Sequence, residues 1–152
     1  MKHPGRLISI LYRKGQVFKN IYLKKIDITA SEQPFMNALF WKDGVSQDLL
    51  SKYLYIDKAS TARTIQSLIK KGLVTKVKDK EDKRINRIFL TEKGKNAKDD
   101  IFSVLDNWSD ILTNDMTDEE KEIAYGYLER MVKNVEDYIE EKKNEFKCNA
   151  KD

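Results

Sequence analysis

The segment from Asp57 to Gly94, DKASTARTIQSLIKKGLVTKVKDKEDKRINRIFLTEKG, admits few folds. Asp57 can cap a helix and sits well at its positive end. Ile65, Leu68 and Ile69 give that helix one buried stripe, and Gly72 fits the left-handed position that stops it. Leu73-Val74 begins a strand, and Ile85 to Leu90 reads as a second. The tip between them, Asp79-Lys80-Glu81-Asp82-Lys83-Arg84, is charged throughout and contains no Gly or Pro. That composition excludes a tight two-residue turn and predicts a long tip projecting into solvent. A helix beside a charged hairpin is the layout of a winged helix-turn-helix. The predicted fold class is therefore mainly α with a small β-hairpin wing. Such a unit sets one helix in a DNA major groove and the hairpin tip near the backbone or the minor groove.

The flanking sequence supplies the rest of that lobe. Ile8, Leu11, Tyr12, Gly15, Phe18 and Tyr22 recur at steps of three and four, which predicts a helix over 6–26. Thr29 and Glu32 have capping-box spacing before a second helix bearing Phe35, Met36, Leu39 and Phe40. Pro34 belongs to its first turn or kinks it. Asp43-Gly44 signals a turn. Ser46 is placed to cap a short helix with Leu49, Leu50 and Tyr53 on its inner side. Downstream, Thr91 is placed to cap a helix carrying Ile101, Leu105, Trp108 and Leu112. Asp115-Met116-Thr117 breaks it, and Thr117 with Glu120 opens a last long helix marked by Ala124, Leu128, Met131, Val135 and Tyr138. The polar tail from about Asn144 is expected to fray. Residues 1–152 are predicted to form a single domain, with a winged lobe over 29–94 and helical regions over 6–26 and 95–145.

Charge is partitioned sharply along this layout. Residues 57–98 carry 13 basic and 5 acidic side chains, whereas residues 99–152 carry 7 and 16. A basic block attracts a polyanion; the acidic block must face elsewhere. The single cysteine, Cys148, and the single histidine, His3, both lie in terminal tails. They provide no His/Cys metal set and no intramolecular disulfide, and no Gly-rich phosphate loop of the usual spacing occurs. No enzymatic activity, cofactor or metal is expected. No run approaches the roughly 18 apolar residues of a membrane span, and no secretory leader is evident. The expected location is cytoplasmic, with no membrane partner.

On a helix turning about 100° per residue, the face opposite Ile65, Leu68 and Ile69 carries Ser60, Arg63, Ser67 and Lys70. Ala59 and Lys71 lie at its margins, and Lys58 and Thr64 complete the candidate DNA-contacting set on this helix. Small residues let the backbone approach the groove floor. Arg63 can contact guanine O6 and N7 in bidentate fashion, worth roughly 1–3 kcal/mol of discrimination. Lys70 and Lys71, at the far end, suit phosphate rather than base contact. On the wing, Arg84 with neighbouring Lys83 fits a narrow, electronegative minor groove, and Asp82 can hold the guanidinium in place. Ser46 and Gln47 can bind phosphate through the hydroxyl and the helix N-terminal amides.

The ordered set of D-K-A-S-T-A-R-T-I…L…K-G-L-V over Asp57 to Val74, D-x-x-D-x-R at Asp79, Asp82 and Arg84, and L-T-x-x-G at Leu90, Thr91 and Gly94 resembles the MarR family of transcriptional regulators. Val45-Ser46-Gln47-Asp48-Leu49-Leu50 matches that family's first helix of the helix-turn-helix, and the resemblance covers nearly the whole chain. It implies a homodimer that binds double-stranded DNA at pseudo-palindromic operators, often as a repressor released by a small molecule or an oxidant. By the same resemblance Ser60 and Arg63 read bases, Ser46 and Gln47 touch backbone, and Arg84 enters the minor groove.

The residues also point to a dimer independently. The stripes containing Ile8, Leu11, Phe18, Leu105, Trp108, Leu128, Met131, Val135 and Tyr138 are longer than one winged lobe needs. Some relatives sense oxidants through a cysteine in the first helix; this chain has none there, and Cys148 reads as incidental. Tyr12, Phe18, Tyr22 and Trp41 have the character of cleft-lining aromatics, but core packing is the commoner use, so no effector pocket is assigned. The competing reading is a winged-helix module for protein interaction or non-specific DNA association.

Overall fold

The computed structural model describes the backbone of residues 3–149 and the side chains of residues 3–143. It divides into two compact units, residues 1–109 and 110–152.

The first unit opens with α1 (Pro4–Tyr22), followed by a single 3-10 turn (Leu23–Ile26). Next come α2 (Gln33–Trp41), β1 (Val45–Ser46), α3 (Gln47–Tyr53) and α4 (Lys58–Lys70). The hairpin is β2 (Val74–Lys78) and β3 (Asn86–Leu90), and α5 (Glu92–Asn96) and α6 (Lys98–Leu112), whose last three residues fall in the second unit, follow it. The expected two-stranded wing is in fact a three-stranded antiparallel sheet in the order β1-β3-β2. Val45 pairs with Ile88 and Ser46 with Arg87 on one side of β3, and Val74 pairs with Leu90 on the other.

The core lies where α2, α3, α4 and the sheet meet. Phe35, Met36 and Leu39 from α2, Leu50 from α3, Ile65 and Leu68 from α4, and Ile88 from β3 are all fully buried. Each such side chain contributes roughly 1.5–3 kcal/mol on leaving water. Ile101 and Val104 of α6 join the same core.

The predicted caps form. Thr29 N–H donates to a Glu32 carboxylate oxygen at 2.8 Å, and Glu32 N–H donates to Thr29 Oγ1 at 3.3 Å. Ser46 Oγ accepts from Leu49 N–H, and Asp57 accepts from Ser60 N–H at 2.8 Å. Gly72 adopts φ +71°, the left-handed stop expected of it.

Several expectations need correction. In α3, Leu49 and Tyr53 are exposed and Leu50 and Ser51 are buried, because a seven-residue helix rests on the core along one narrow line. The helix capped by Thr91 ends after five residues; Ala97 separates α5 from α6. Phe18 and Trp108, expected at an interface between chains, meet within this unit with ring centroids 5.2 Å apart. Trp108 closes on α1 because Gly15 leaves room: a Cβ there would lie 3.1 Å from the indole ring. Leu105 packs on the core as well. Of the interface candidates in this unit, Ile8 and Leu11 remain about half exposed.

The second unit contains α7 (Asp118–Asn149). Its capping box is formed: Thr117 N–H donates to Glu120 at 2.8 Å, and Glu120 N–H donates to Thr117 Oγ1 at 3.2 Å. Leu128, Met131, Val135 and Tyr138 are exposed along it. The helix continues past Asn144, where the polar composition predicts fraying. The Cys148 side chain lies outside the described side chains. Among the described residues, no helix is long and apolar enough to cross a membrane.

Candidate nucleic-acid interface

The chain holds α4 in place through the turn that precedes it. Ser51 Oγ donates to the Ile56 carbonyl at 2.6 Å, and buried Thr61 donates to the same oxygen at 3.5 Å. Tyr55, at φ +54°, turns the backbone between the two helices. Lys58 Nζ reaches Asp48 at 3.4 Å, an exposed pair linking α4 to α3 and worth little on its own. The Asp57 carboxyl is held below the ordinary carboxylate range by hydrogen bonds from Ser60, backbone and hydroxyl, so the cap stays anionic.

On the outer face of α4, Arg63 donates to Ser60 Oγ at 2.8 Å. The two residues expected to read bases are thus already placed side by side. Ala59, Arg63 and Lys70 are exposed, and Ser60 and Thr64 are half-buried.

Ser67 does not share this face. Its hydroxyl donates to Glu32 at 2.6 Å, and Lys71 Nζ reaches the same carboxylate at 2.8 Å. Lys71 lies 3.7 Å from Asp27 as well. Both residues therefore brace the end of α4 against the start of α2; neither points freely at DNA. The helical wheel misplaces them because it treats the helix as if nothing packed beside it. Burial acts to raise the Glu32 carboxyl, but the hydrogen bonds from Lys71, Ser67 and Thr29 outweigh it and hold the group low. Glu32 is the residue that motifs alone miss: its capping spacing shows in the sequence, its link to α4 does not.

On the wing, Asp82 binds Arg84 as expected. The guanidinium donates at 2.9 and 3.0 Å to the two carboxylate oxygens, and Arg84 N–H adds a third bond at 2.9 Å. These bonds raise the Arg84 guanidinium further above its ordinary range. The Arg84 side chain stays 91% exposed, so it is oriented yet free to enter a groove. Lys83 beside it is exposed too.

The tip is exposed, as its composition predicts, and it also has internal order that composition does not show. Asp79 folds back and organises it. Its carboxylate accepts the backbone N–H groups of Glu81 and Asp82 at 2.9 and 3.0 Å and pairs with Arg87. Arg87 in turn donates to the Gly44 carbonyl at 3.0 Å, tying the tip to the start of β1. Hydrogen bonding from Arg87, then from Asp82 and Glu81, lowers the Asp79 carboxyl from 3.8 to about 2. A depressed carboxyl stabilises the folded form above its unfolded value and loses that contribution as pH falls through the folded one. The wing is therefore expected to loosen between roughly pH 4 and 2. The protection of the Glu81 and Asp82 amides relative to their intrinsic exchange rates at each pH should fall there, and unchanged protection would contradict the assignment of Asp79.

At the start of α3 the Ser46 hydroxyl accepts Leu49 N–H and keeps its own proton available to an anion. Gln47 is half-buried, and its Oε1 is buried without a partner, so its side chain is turned partly inward.

Comparison with known proteins matches this geometry. A family model described as MarR family matches residues 42–85. A MarR transcriptional regulator from Methanosarcina mazei superposes with TM-score 0.83 at 38% identity, covering 86% of this chain and 94% of that one. A MarR-family regulator from Listeria monocytogenes, in complex with a 26mer DNA, superposes with TM-score 0.84 at 25% identity, over 90% and 91% of the two chains. Among curated proteins, the HTH-type regulator YybA of Bacillus subtilis is 28% identical over 86% of this chain and 87% of its own length.

Proposed function

The chain belongs to the MarR family of transcriptional regulators, and from that premise we propose that it is a homodimeric repressor reading a pseudo-palindromic operator and released by a small-molecule effector. One observation carries the reading. A base-reading pair, Ser60 and Arg63, and a wing arginine locked by Asp82 are both preset in the free chain. Preset donors lose less entropy on binding and discriminate by geometry. A module for protein interaction or non-specific DNA association would need neither.

The dimer is supported by apolar side chains exposed on a single chain. Leu7, Ile8 and Leu11 on α1, and Leu128, Met131, Val135 and Tyr138 on α7, leave more apolar surface in water than scattered surface residues account for. Two-fold symmetry would set the paired α4 helices about one DNA turn, roughly 34 Å, apart. A dimer seated across a promoter blocks polymerase by volume, so repression needs no further contact. Activation would require one.

The test is a titration of wild type, Arg63→Ala and Arg84→Ala against a palindromic duplex selected from a random pool. Arg63→Ala is expected to weaken binding roughly 10- to 100-fold and to relax preference at one base pair of each half-site. Arg84→Ala should weaken binding and lower the salt slope by about one charge per chain. Unchanged affinity in both variants would contradict the assignment.

A further inference from the structure

The wing changes character at Arg87. Strand β1 pairs with β3 at two positions, Val45 with Ile88 and Ser46 with Arg87. From Asn86 toward the tip, β3 has β2 alone beside it among the described residues, with Lys78 opposite Asn86. Arg87 is thus the last position of the three-stranded sheet, and a two-stranded ribbon begins beyond it. Such ribbons twist more than wider sheets and hold their shape poorly on their own. The Asp82–Arg84 clasp lies wholly in the tip of this ribbon. It fixes Arg84 within the tip, but not the tip against the rest of the lobe.

The Arg87 side chain spans that boundary. Its Nε pairs with Asp79 on the tip side, and its Nη1 donates to the Gly44 carbonyl at 3.0 Å on the sheet side. Both acceptors are themselves held. Asp79 accepts the Glu81 and Asp82 amides, and its own N–H donates to the Ile85 carbonyl at 2.9 Å, so it moves with the tip. Gly44 N–H donates to the Ile88 carbonyl at 2.9 Å, and the adjoining Asp43 carboxylate accepts Leu90 N–H at 2.8 Å, so the Gly44 carbonyl moves with the sheet. A guanidinium is a planar fork whose donors hold fixed directions. Two bonds from it to two held acceptors fix an angle that one bond would leave free.

We propose that Arg87 is a specificity-determining positioning residue: by bracing the ribbon against the three-stranded sheet, it fixes the angle at which Arg84 meets the minor groove. A braced arginine favours a groove of one width, whereas an unbraced one follows grooves of several widths. A·T tracts have the narrow minor groove, so Arg87 sharpens a choice between A·T and G·C pairs that is made by groove shape. The backbone of Arg87 pairs with Ser46, so the brace also sets the spacing between the phosphate contact proposed at Ser46 and the groove contact of Arg84. The DNA part of this inference rests on the operator-reading proposal above; the brace itself does not.

The test compares the full chain with Arg87→Lys. That variant keeps the charge beside Asp79, and with it the general attraction to DNA, but puts one ammonium in place of two fixed donors. Arg87 is half exposed, so the fold should survive, as thermal unfolding would verify. The first arm contains no DNA. Residual dipolar couplings of the amides from Asp79 to Ile85 should fit the alignment frame of the sheet in wild type and lose that fit in Arg87→Lys. A tip that aligns independently in wild type, or an undiminished fit in the variant, would overturn the brace. The second arm titrates the selected duplex, made with A·T or with G·C pairs at the steps under the wing. Wild type should favour A·T about tenfold or more, and Arg87→Lys about threefold or less. Scrambled-duplex affinity and its salt slope should not change. Arg84→Ala alone and combined with Arg87→Lys should show one and the same residual preference, because the brace acts through Arg84. No preference in wild type, full preference in Arg87→Lys, or a further loss in the double variant would overturn the positioning role. If wild type bound selected and scrambled duplexes alike, the operator reading would fail, and the couplings would still decide the brace.

Discussion

Gly94→Ala should cost about 3 kcal/mol or more, a larger loss than any surface substitution in this chain. A Cβ at position 94 would lie 2.1 Å from the Leu73 carbonyl oxygen and 3.2 Å from a Leu90 methyl. That oxygen cannot retreat cheaply. It accepts Thr91 N–H at 3.1 Å, the Thr91 hydroxyl donates to the adjoining Gly72 carbonyl at 2.6 Å, and Thr91 also caps α5 by accepting Gly94 N–H at 3.0 Å. A methyl group forced into a close-packed interior typically costs 1–3 kcal/mol. A backbone obstacle fixed from several sides puts this one at the top of that range or beyond it. The glycine of L-T-x-x-G is thus required by the close approach of α5 to the start of β2. Thermal unfolding would check it: a fall on the order of 10 °C is expected. A fall within error of zero would mean that the hairpin and α5 are not packed as described.

Glu32→Ala is expected to be of similar size for a different reason. The Glu32 side chain is 4% exposed and that of Lys71 18%. Removing the carboxylate leaves a mostly buried ammonium with the exposed Asp27 as its remaining neighbour, and Ser67 and Thr29 N–H lose their acceptor. Breaking a buried pair from one side costs roughly 3–5 kcal/mol. Glu32→Gln, which keeps an acceptor but loses the charge, should cost less. Glu32→Ala combined with Lys71→Met should recover part of the loss, because no charge is then stranded. A double mutant no more stable than Glu32→Ala alone would contradict the account. The bridge also fixes the end of α4, so Glu32→Ala should weaken selected-duplex binding more than scrambled-duplex binding at a temperature where the variant is folded.

Features set by neighbours along the chain are legible in the amino-acid sequence. The Thr29–Glu32 and Thr117–Glu120 boxes, the Asp57 and Ser46 caps, the Gly72 stop and the Asp82–Arg84 clasp each involve residues within a turn of one another. Local chemistry decides them. Features set by neighbours in space are not legible in this way. Ser67 and Lys71 lie on the outer side of α4 by angle, yet Glu32, 35 and 39 residues earlier, reaches them. Asp79 meets Arg87 through the hairpin register, in which Lys78 pairs with Asn86, and no local pattern fixes that register. The strand Val45–Ser46 is two residues long, too short for any alternation to show. Leu49, Tyr53 and Trp41 read as core because apolar residues usually are. Their exposure follows from the way α2 and α3 pack, which no single helix reveals.

Operator reading by a dimer would be tested by fluorescence-anisotropy titration against a selected palindromic duplex and its scrambled counterpart, at two salt concentrations and with stoichiometry determined. Two chains per selected duplex are expected, with binding about 10³-fold or more tighter than to the scrambled one at physiological salt. Equal binding to both duplexes, eroded alike by salt, would contradict it.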